Sequence, residues 1–223
     1  MRILAVSEVG KKIVESVDNS IVNEEGLLPV FDIEYITEKE MKTACQNSLS
    51  ESDKTVIIGD AVLPCISAFS APESGVIAFS ARPCLREMVE KGLLKKEYLI
   101  IVGIRTWSSK ELSFLNENKI KFYPMKEIIA EGIHETSDSV MSAAKDFSQL
   151  YVYLDLSVLD PSCAPGTYCP EPGGLTAREL FFFINRLNKM KNLKITHLDG
   201  LNMNKDMNNA TLKIASKIVT ELY

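Results

Sequence analysis

The chain has 223 residues, of which 46% are hydrophobic and 25% charged, a composition typical of an ordinary globular protein. Its net charge of −5 does not attract phosphate backbones, so nucleic acid is not an expected partner. No apolar run reaches the roughly 20 residues of a membrane span. The apolar stretch after Arg2 ends before Glu8 and is too short for the core of a signal peptide.

Five cysteines are spread along the chain without a CxxC pair: Cys45, Cys65, Cys84, Cys163 and Cys169. An odd number of cysteines without a secretion signal is typical of reduced thiols, so we expect a cytoplasmic protein. Each of the five is interpreted first as a small buried apolar residue, because free cysteine is among the most buried residue types.

Short β-branched runs alternate with helical stretches from the first residue to the last. The strand candidates are residues 2–6, 28–33, 55–58, 75–79, 98–102, 120–123, 150–155 and 194–198. Several of them are apolar throughout, as expected of strands covered on both faces. The alternation predicts one α/β domain over residues 1–223, a mostly parallel sheet of about eight strands between two helical layers.

Helix starts are marked by residues with capping-box spacing. Ser108 with Glu111, and Thr176 with Glu179, each place a hydroxyl three residues before a glutamate. An apolar stripe at helical spacing follows Thr176 and predicts a helix packed on the core. A last helix is expected over residues 209–222.

A long loop follows the run 150–155 and carries the most specific motif of the chain. Asp155 stands at a strand end, where ligand sites of parallel sheets gather. Asp160-Pro161 begins a turn, and further prolines and glycines stiffen the stretch as far as Thr176. A loop of this length and rigidity usually shapes a site or an interface, with a purely structural crossover as the alternative.

The stretch from Asp155 to Glu179 resembles the ureohydrolase family (arginase, agmatinase and formimidoylglutamase). The family segment reads S-x-D-x-D-x-x-D-P-x-x-A-P-G-T-G-x-P-x-x-G-G-L-T-x-R-E. The chain matches it at Asp160, Pro161, Ala164, Pro165, Gly166, Thr167, Pro170, Gly173, Gly174, Leu175, Thr176, Arg178 and Glu179. Two more stretches resemble family motifs: Gly103-Ile104-Arg105, and the series Asp199, Asn202, Asn204, Asp206 and Thr211.

The resemblance implies an arginase-like sheet and a trimer or hexamer. It also implies hydrolysis of a guanidino or formimino C–N bond by a water that bridges two manganese ions. Such ions need carboxylate or imidazole ligands, and the shared water becomes a hydroxide nucleophile. The family supplies the ligands from three motifs, G-G-D-H-S, D-A-H-x-D and D-x-D.

Most of these ligands are replaced in the first two motifs. Asp60 is present, but Ala61 takes the place of the histidine in G-G-D-H-S. Residues 80–84 correspond to D-A-H-x-D, and Ser80, Arg82 and Cys84 stand at its three ligand positions. We therefore expect no conventional binuclear centre and no metal cofactor.

In the third motif Asp155 remains as a vestigial ligand, while Ser157 replaces its partner. Asn202 stands where the family has the acid that holds the amidino group of the substrate. The opposite charges at aligned positions suggest an Arg82–Asp155 ion pair in place of the metals. His197, late in the last strand, is interpreted as a strand histidine whose hydrogen bonds are satisfied, rather than as a site residue.

Two kinds of function remain open. One is a pseudoenzyme or repurposed homologue that binds a small anionic or guanidino metabolite, or acts as a subunit or regulator. Its polar pocket would comprise Ser80, Arg82, Asp155, Ser157 and Asn202. Otherwise these residues merely fill the lost site.

The other is an active amidino hydrolase with a remodelled centre. A Cys84 thiolate activated by Arg82 is one version of it. A single metal ion held by Asp155, His197 and Cys84 is the other, although no spacing pattern supports that set.

Overall fold

A computed structural model describes residues 1–50, 54–60, 62–69 and 73–223. Its strands are β1 (Arg2–Val6), β2 (Asp32–Ile36), β3 (Thr55–Ile58), β4 (Gly75–Phe79), β5 (Leu99–Ile104), β6 (Lys121–Pro124), β7 (Leu150–Asp155) and β8 (Leu193–Asp199). They form one sheet in the order β2-β1-β3-β8-β7-β4-β5-β6, and every neighbouring pair is parallel. The predicted α/β class is confirmed.

Helices cover both faces of the sheet. They are α1 (Ser7–Glu15), α2 (Glu38–Ser50), α3 (Val62–Ala68), α4 (Arg86–Glu90), α5 (Ser109–Glu117), α6 (Met125–Glu131), α7 (Ile133–Ala144), α8 (Ala177–Leu187) and α9 (Ala210–Glu221). In the part of the chain that is described, none of them has the length and apolar character needed to cross a bilayer.

Alternate side chains of the central strands enter two hydrophobic clusters. In β4, Ile77 and Phe79 join the cluster that includes α1, α7, α8 and α9. Val76 and Ala78 join the cluster that includes α2, α3, α4 and α5. Because successive strand residues point to opposite faces, a strand that is apolar throughout requires a helical layer on each side. This arrangement produces the predicted three layers.

Both capping boxes form as predicted. The Ser108 side chain accepts from the backbone of Glu111, whose carboxylate accepts from the Ser108 N–H. Thr176 and Glu179 make the same reciprocal contacts at the start of α8. Each box satisfies N–H groups that the first turn of a helix leaves without intrahelical partners.

The predicted strand 28–33 is wrong, because β2 is Asp32–Ile36. Pairing with β1 begins where the Asp32 N–H donates to the Met1 carbonyl. Pro29, inside the predicted run, has no N–H for such a ladder. β2 is an edge strand whose first four residues are exposed, so its sequence is polar and lacks the apolar signal of the central strands.

Candidate functional site

Polar side chains collect where four adjacent strands end. Asp60 follows β3, Asp199 ends β8, Asp155 ends β7 and Ser80 follows β4. Asp155 and Asp199 are register partners, so their backbones are neighbours. With Ser157, these residues form what we call the strand-end pocket. It lies at the carboxyl edge of the sheet, where ligand sites of open α/β folds occur.

Asp155 is held by donors from two sides. The Ser80 hydroxyl donates to Asp155 Oδ2 at 3.0 Å, and the Ser157 N–H donates to Asp155 Oδ1 at 2.8 Å. The Ser157 hydroxyl accepts from the Ala81 N–H at 3.3 Å. Burial raises the pKa of Asp155, while the hydrogen bonds from Ser157 and Ser80 oppose that rise. Two predicted pocket residues, Ser80 and Ser157, thus contact the remaining family carboxylate directly.

The predicted Arg82–Asp155 ion pair is wrong. Arg82 Nη2 lies 2.6 Å from Glu171 Oε1, and Thr106 donates to the other oxygen of the same carboxylate at 3.1 Å. The Arg82 side chain is 49% exposed, so its charge remains hydrated at the rim. Directing the guanidinium inward to the half-buried Asp155 would remove much of that hydration, which is costly for a charged group.

Cys84 lies under the rim, half-buried against the cluster of α2–α5. Burial, reinforced by the negative charge of Asp155, raises the pKa of its thiol to about 12. The hypothesis of a thiolate activated by Arg82 required a lowered pKa. The environment of Cys84 therefore acts in the direction opposite to that hypothesis.

Asp60 and Asp199 form a pair of carboxyl groups. The two side chains are hydrogen-bonded to each other, and this contact, with burial and like charge adding to it, raises the pKa of Asp60 to about 7. Tyr168 reaches Asp60 from the long loop, and the Tyr153 hydroxyl donates to Asp199 at 3.1 Å. Asp60 therefore keeps its proton until the pH approaches neutrality, as a like charge at close range requires.

Sequence reasoning placed Asp60 in the pocket but missed Asp199 as a site residue. The signal was available, because Asp199 also stands at a strand end. Glu171, which binds Arg82, was missed too, since nothing local in the sequence shows where a long loop folds back.

His197 is a strand histidine with both ring nitrogens in hydrogen bonds. Nε2 lies 2.6 Å from the Gly59 carbonyl oxygen, and Nδ1 lies 2.6 Å from the Tyr151 hydroxyl. A carbonyl only accepts, so Nε2 carries the proton and Nδ1 accepts from Tyr151. Burial lowers the pKa of His197 to about 4 and keeps the ring neutral. The geometry agrees with the interpretation made from sequence.

Asn202 does not extend the Ser80–Asp155–Ser157 network. Its N–H donates to the Gly166 carbonyl, and its side-chain oxygen accepts from the Asn204 N–H at 3.1 Å, which closes a local turn. Ala61, the remaining predicted pocket residue, lies outside the described residues.

Residues 160–175, which we call the Asp160 loop, are fixed by side chains from the matching motifs. The Arg105 guanidinium donates to the backbone carbonyl oxygens of Gly103, Ser157, Val158, Leu159, Glu171 and Pro172. Asp160 Oδ2 accepts from the N–H groups of Gly173 and Gly174 at 2.7 and 3.1 Å. The loop therefore forms a rigid wall beside the strand-end pocket.

The comparisons with known proteins agree with this architecture. A family model described as "Arginase family" matches residues 70–223. The arginase of Bacillus caldovelox is 29% identical over 131 residues, which cover 58% of this chain and 44% of that protein. The formimidoylglutamase of Halalkalibacterium halodurans is 31% identical over 145 residues, 56% of this chain and 46% of that protein. The chain thus spans about half the length of the curated relatives it matches.

Solved structures share the fold over nearly the whole chain. The arginase of Bacillus subtilis superposes with a TM-score of 0.86 at 18% identity, covering 100% of this chain and 97% of that one. The arginase of Entamoeba histolytica in complex with L-ornithine superposes with a TM-score of 0.81 at 17% identity, covering 99% and 97%. The chain belongs to the arginase family, as the resemblance of its motifs implied.

The donor set of the strand-end pocket does not fit the two manganese ions of the family. Among the described residues, no three His, Cys, Asp or Glu side chains come together as a metal site. Hard divalent ions require several oxygen or imidazole ligands. Asp155, the one carboxylate at a family ligand position, is instead hydrogen-bonded by Ser80 and Ser157.

Proposed function

We propose that this chain is an arginase-family protein that binds a small guanidino or amino cation in the strand-end pocket and does not hydrolyse it by the metal-dependent route. The observation that carries the proposal is the Asp60–Asp199 pair. It supplies negative charge at the carboxyl edge of the sheet, while the neighbouring family ligand positions hold serine, arginine and cysteine.

The charges around the pocket support a cation over an anion. Arg82 is neutralised by Glu171, and Arg105 is engaged by backbone carbonyls. Neither guanidinium is therefore available to a ligand anion. The contact with Asp199 raises the pKa of Asp60, and a bound ammonium or guanidinium group would take the place of the proton that Asp60 retains.

The similar E. histolytica arginase supports the same chemical class, since its structure is described in complex with L-ornithine, which carries a side-chain amine. We also propose that residues 1–223 form one domain, that the protein is cytoplasmic and that it forms a homo-oligomer. If the chain regulates a catalytic partner, binding of the cation in the strand-end pocket would be the signal that it transmits.

The first test separates binding from catalysis. The purified protein is incubated with manganese and dialysed, its metal content is measured, and urea release is assayed with arginine and agmatine. We expect no stoichiometric manganese and no urea. Two retained ions per chain with urea release would overturn the proposal and show that the site can be rebuilt from other residues.

The second test measures binding directly. Titration calorimetry compares agmatine and arginine with citrulline, which replaces the guanidinium by a neutral group, and with glutamate. We expect binding of the two guanidinium compounds only, stronger at pH 8 than at pH 5.5 because protons compete for the acid pair. Asp199→Asn should weaken binding at least about tenfold, the worth of one charge-assisted contact.

The matched control for that variant is Glu117→Gln, which removes an exposed acid from α5 outside the pocket. It should bind as the unaltered chain does. Equal binding of glutamate, or no effect of Asp199→Asn, would contradict the assignment of the pocket.

A further inference from the structure

Two of the five cysteines lie in contact inside the fold. Cys45 belongs to α2 and Cys65 to α3, and both side chains are fully buried. Their thiols are hydrogen-bonded to each other, and this contact, with burial adding to it, raises the pKa of Cys65. Both residues precede residue 70, where the match to the family model begins. The thiol pair therefore lies outside the motifs that place the chain in the arginase family.

The packing of two helices brings the thiols together. In α2 the buried residues Met41, Ala44, Cys45 and Ser48 recur at helical spacing, so they form one face of the helix. The two helices α2 and α3 pack directly against each other, and Cys45 and Cys65 belong to the same hydrophobic cluster. The position of each thiol is thus set by the packing of regular elements and not by a loop.

The surroundings of the pair allow both thiols to lose their hydrogens. The Tyr151 hydroxyl also contacts Cys65, but it donates its proton to His197 Nδ1 at 2.6 Å. Tyr151 therefore does not need the sulfur as an acceptor, and a thiol is itself only a weak donor. Replacing the two S–H groups by an S–S bond would cost this part of the core few hydrogen bonds.

The other three cysteines are placed differently. Cys163 packs against the cluster on the opposite side of the sheet, and its thiol donates to a backbone carbonyl of the Asp160 loop at 3.2 Å. Cys84 lies under the rim of the strand-end pocket, and Cys169 is exposed on the Asp160 loop. The contact between two buried thiols therefore predicts one particular bond and not a mixture.

We propose that Cys45 and Cys65 are a modification site, at which hydrogen peroxide converts the two thiols to a disulfide bond. One sulfur attacks a peroxide oxygen and becomes a sulfenic acid, and the first water is released. The second sulfur then attacks the sulfenic sulfur, the hydroxyl leaves as a second water, and the S–S bond forms. In total the thiols lose two protons and two electrons, and one peroxide is reduced to two waters.

The contact between the sulfurs decides the product and its effect. A sulfenic acid beside a second thiol condenses to a disulfide, whereas one without such a neighbour is open to further oxidation. Because both thiols are buried and the pKa of Cys65 is raised, their oxidation should be slower than that of an exposed thiol. The bond would join α2 to α3, the helix that follows Asp60. By constraining the unfolded chain it should raise the Tm by roughly 5–10 °C.

Peptide mapping of the full chain tests the proposal. The reduced protein is exposed to a small excess of hydrogen peroxide for increasing times, blocked with iodoacetamide and digested without reduction. We expect mass spectrometry to find the peptide with Cys45 linked to the peptide with Cys65, two hydrogens lighter than their sum. Thermal unfolding followed by circular dichroism should show the rise in Tm, and dithiothreitol should reverse both changes.

Cys45→Ala and Cys65→Ala should each abolish the linked peptide and the rise in Tm. Cys169→Ala, which removes an exposed thiol, is the matched control and should keep both. A second measurement removes the barrier of burial. The chain is unfolded in urea and refolded with reduced and oxidised glutathione, so that thiol–disulfide exchange selects the bond the fold prefers. We expect the same link between Cys45 and Cys65 to predominate.

Absence of this link after both peroxide treatment and refolding would overturn the proposal. So would a predominant bond between other cysteines, or a linked chain whose Tm is not raised. Links between two chains, which non-reducing electrophoresis would reveal, would also contradict it. None of these readouts depends on a ligand, so this inference and the proposed function fail separately.

Discussion

The Asp160 loop and the strand-end pocket lie side by side, yet they relate to the family motifs in opposite ways. In and around the loop, Arg105, Asp160 and Glu179 stand where the family has them, and each binds backbone groups. In the pocket, the family ligand positions hold other residues apart from Asp155. The residues that make the family recognisable are thus mainly those that hold the frame.

Physical cost explains why the frame is the less tolerant region. A change at Arg105 would leave carbonyl oxygens of a folded loop without their donor, and unsatisfied buried acceptors are costly. A change at a ligand position needs only a local replacement. Ser80 and Ser157 make that replacement by donating to Asp155.

The strongest way to break this comparison is Arg105→Ala. We expect the variant to lose about 3 kcal/mol or more of unfolding free energy, since several charge-assisted hydrogen bonds disappear together. Urea denaturation followed by circular dichroism measures the loss. Arg105→Lys should also be destabilised, because an ammonium group lacks the planar fork that reaches several carbonyls at once.

The control is Arg178→Ala, at another arginine of the matching motif. Its side chain is 73% exposed, pairs with Glu24 and lies 6.0 Å from the centre of the Phe181 ring, and such exposed contacts contribute little, so we expect a loss below about 1 kcal/mol. If Arg105→Ala and Arg178→Ala were equally stable, support of the Asp160 loop would not explain why the chain matches the family motif so closely there.

The fold followed from the sequence because buried strands carry their own signal. β3, β4 and β7 were predicted with the bounds they have, since each is apolar along most of its length and covered on both faces. β2 was misplaced because an exposed edge strand has no such pattern. The apolar residues before it, Leu27, Leu28 and Val30, are exposed and lie outside the strand.

The candidate site was less predictable because it depends on which distant groups meet. Strand-end position correctly drew attention to Asp60, Ser80 and Asp155. It did not reveal that Arg82 turns to Glu171, a residue 89 positions away, because hydration of a charged side chain decides that contact. Aligned opposite charges were an insufficient reason to predict an ion pair.

The Asp60–Asp199 pair in the pocket should make the stability of the protein depend on pH, which the loop contacts do not. The pKa of Asp60 in the folded chain is raised to about 7 from an ordinary 3.8. The folded state therefore holds an extra proton between these values, and its stability falls as pH rises from about 4 to about 7. Asp60→Asn, which mimics the protonated acid, should remove that fall and be about 1 kcal/mol more stable at pH 8, after allowance for solvent screening.

Urea denaturation of the unaltered chain and of Asp60→Asn is measured from pH 4 to pH 8, and the difference between their unfolding free energies is plotted against pH. His197 titrates in the same range, and its lowered pKa acts in the opposite sense. Because the charge of Asp60 raises the pKa of His197, the difference between the two chains contains the effect of Asp60 on His197 as well as the titration of Asp60 itself. The curves should coincide near pH 4 and separate as the pH rises. A difference that stays constant with pH would show that Asp60 and Asp199 do not share a proton.

The smallest expected effect concerns Cys84, the residue that the thiolate hypothesis makes a nucleophile. With its pKa raised to about 12, almost none of this thiol is thiolate at pH 8. The exposed Cys169 should therefore react with iodoacetamide well before Cys84, as peptide mass spectrometry of a time course would resolve. Arg82→Ala should leave the rate at Cys84 unchanged, because the guanidinium is engaged by Glu171. Fast alkylation of Cys84 that slows in Arg82→Ala would restore the thiolate hypothesis and make this region catalytic.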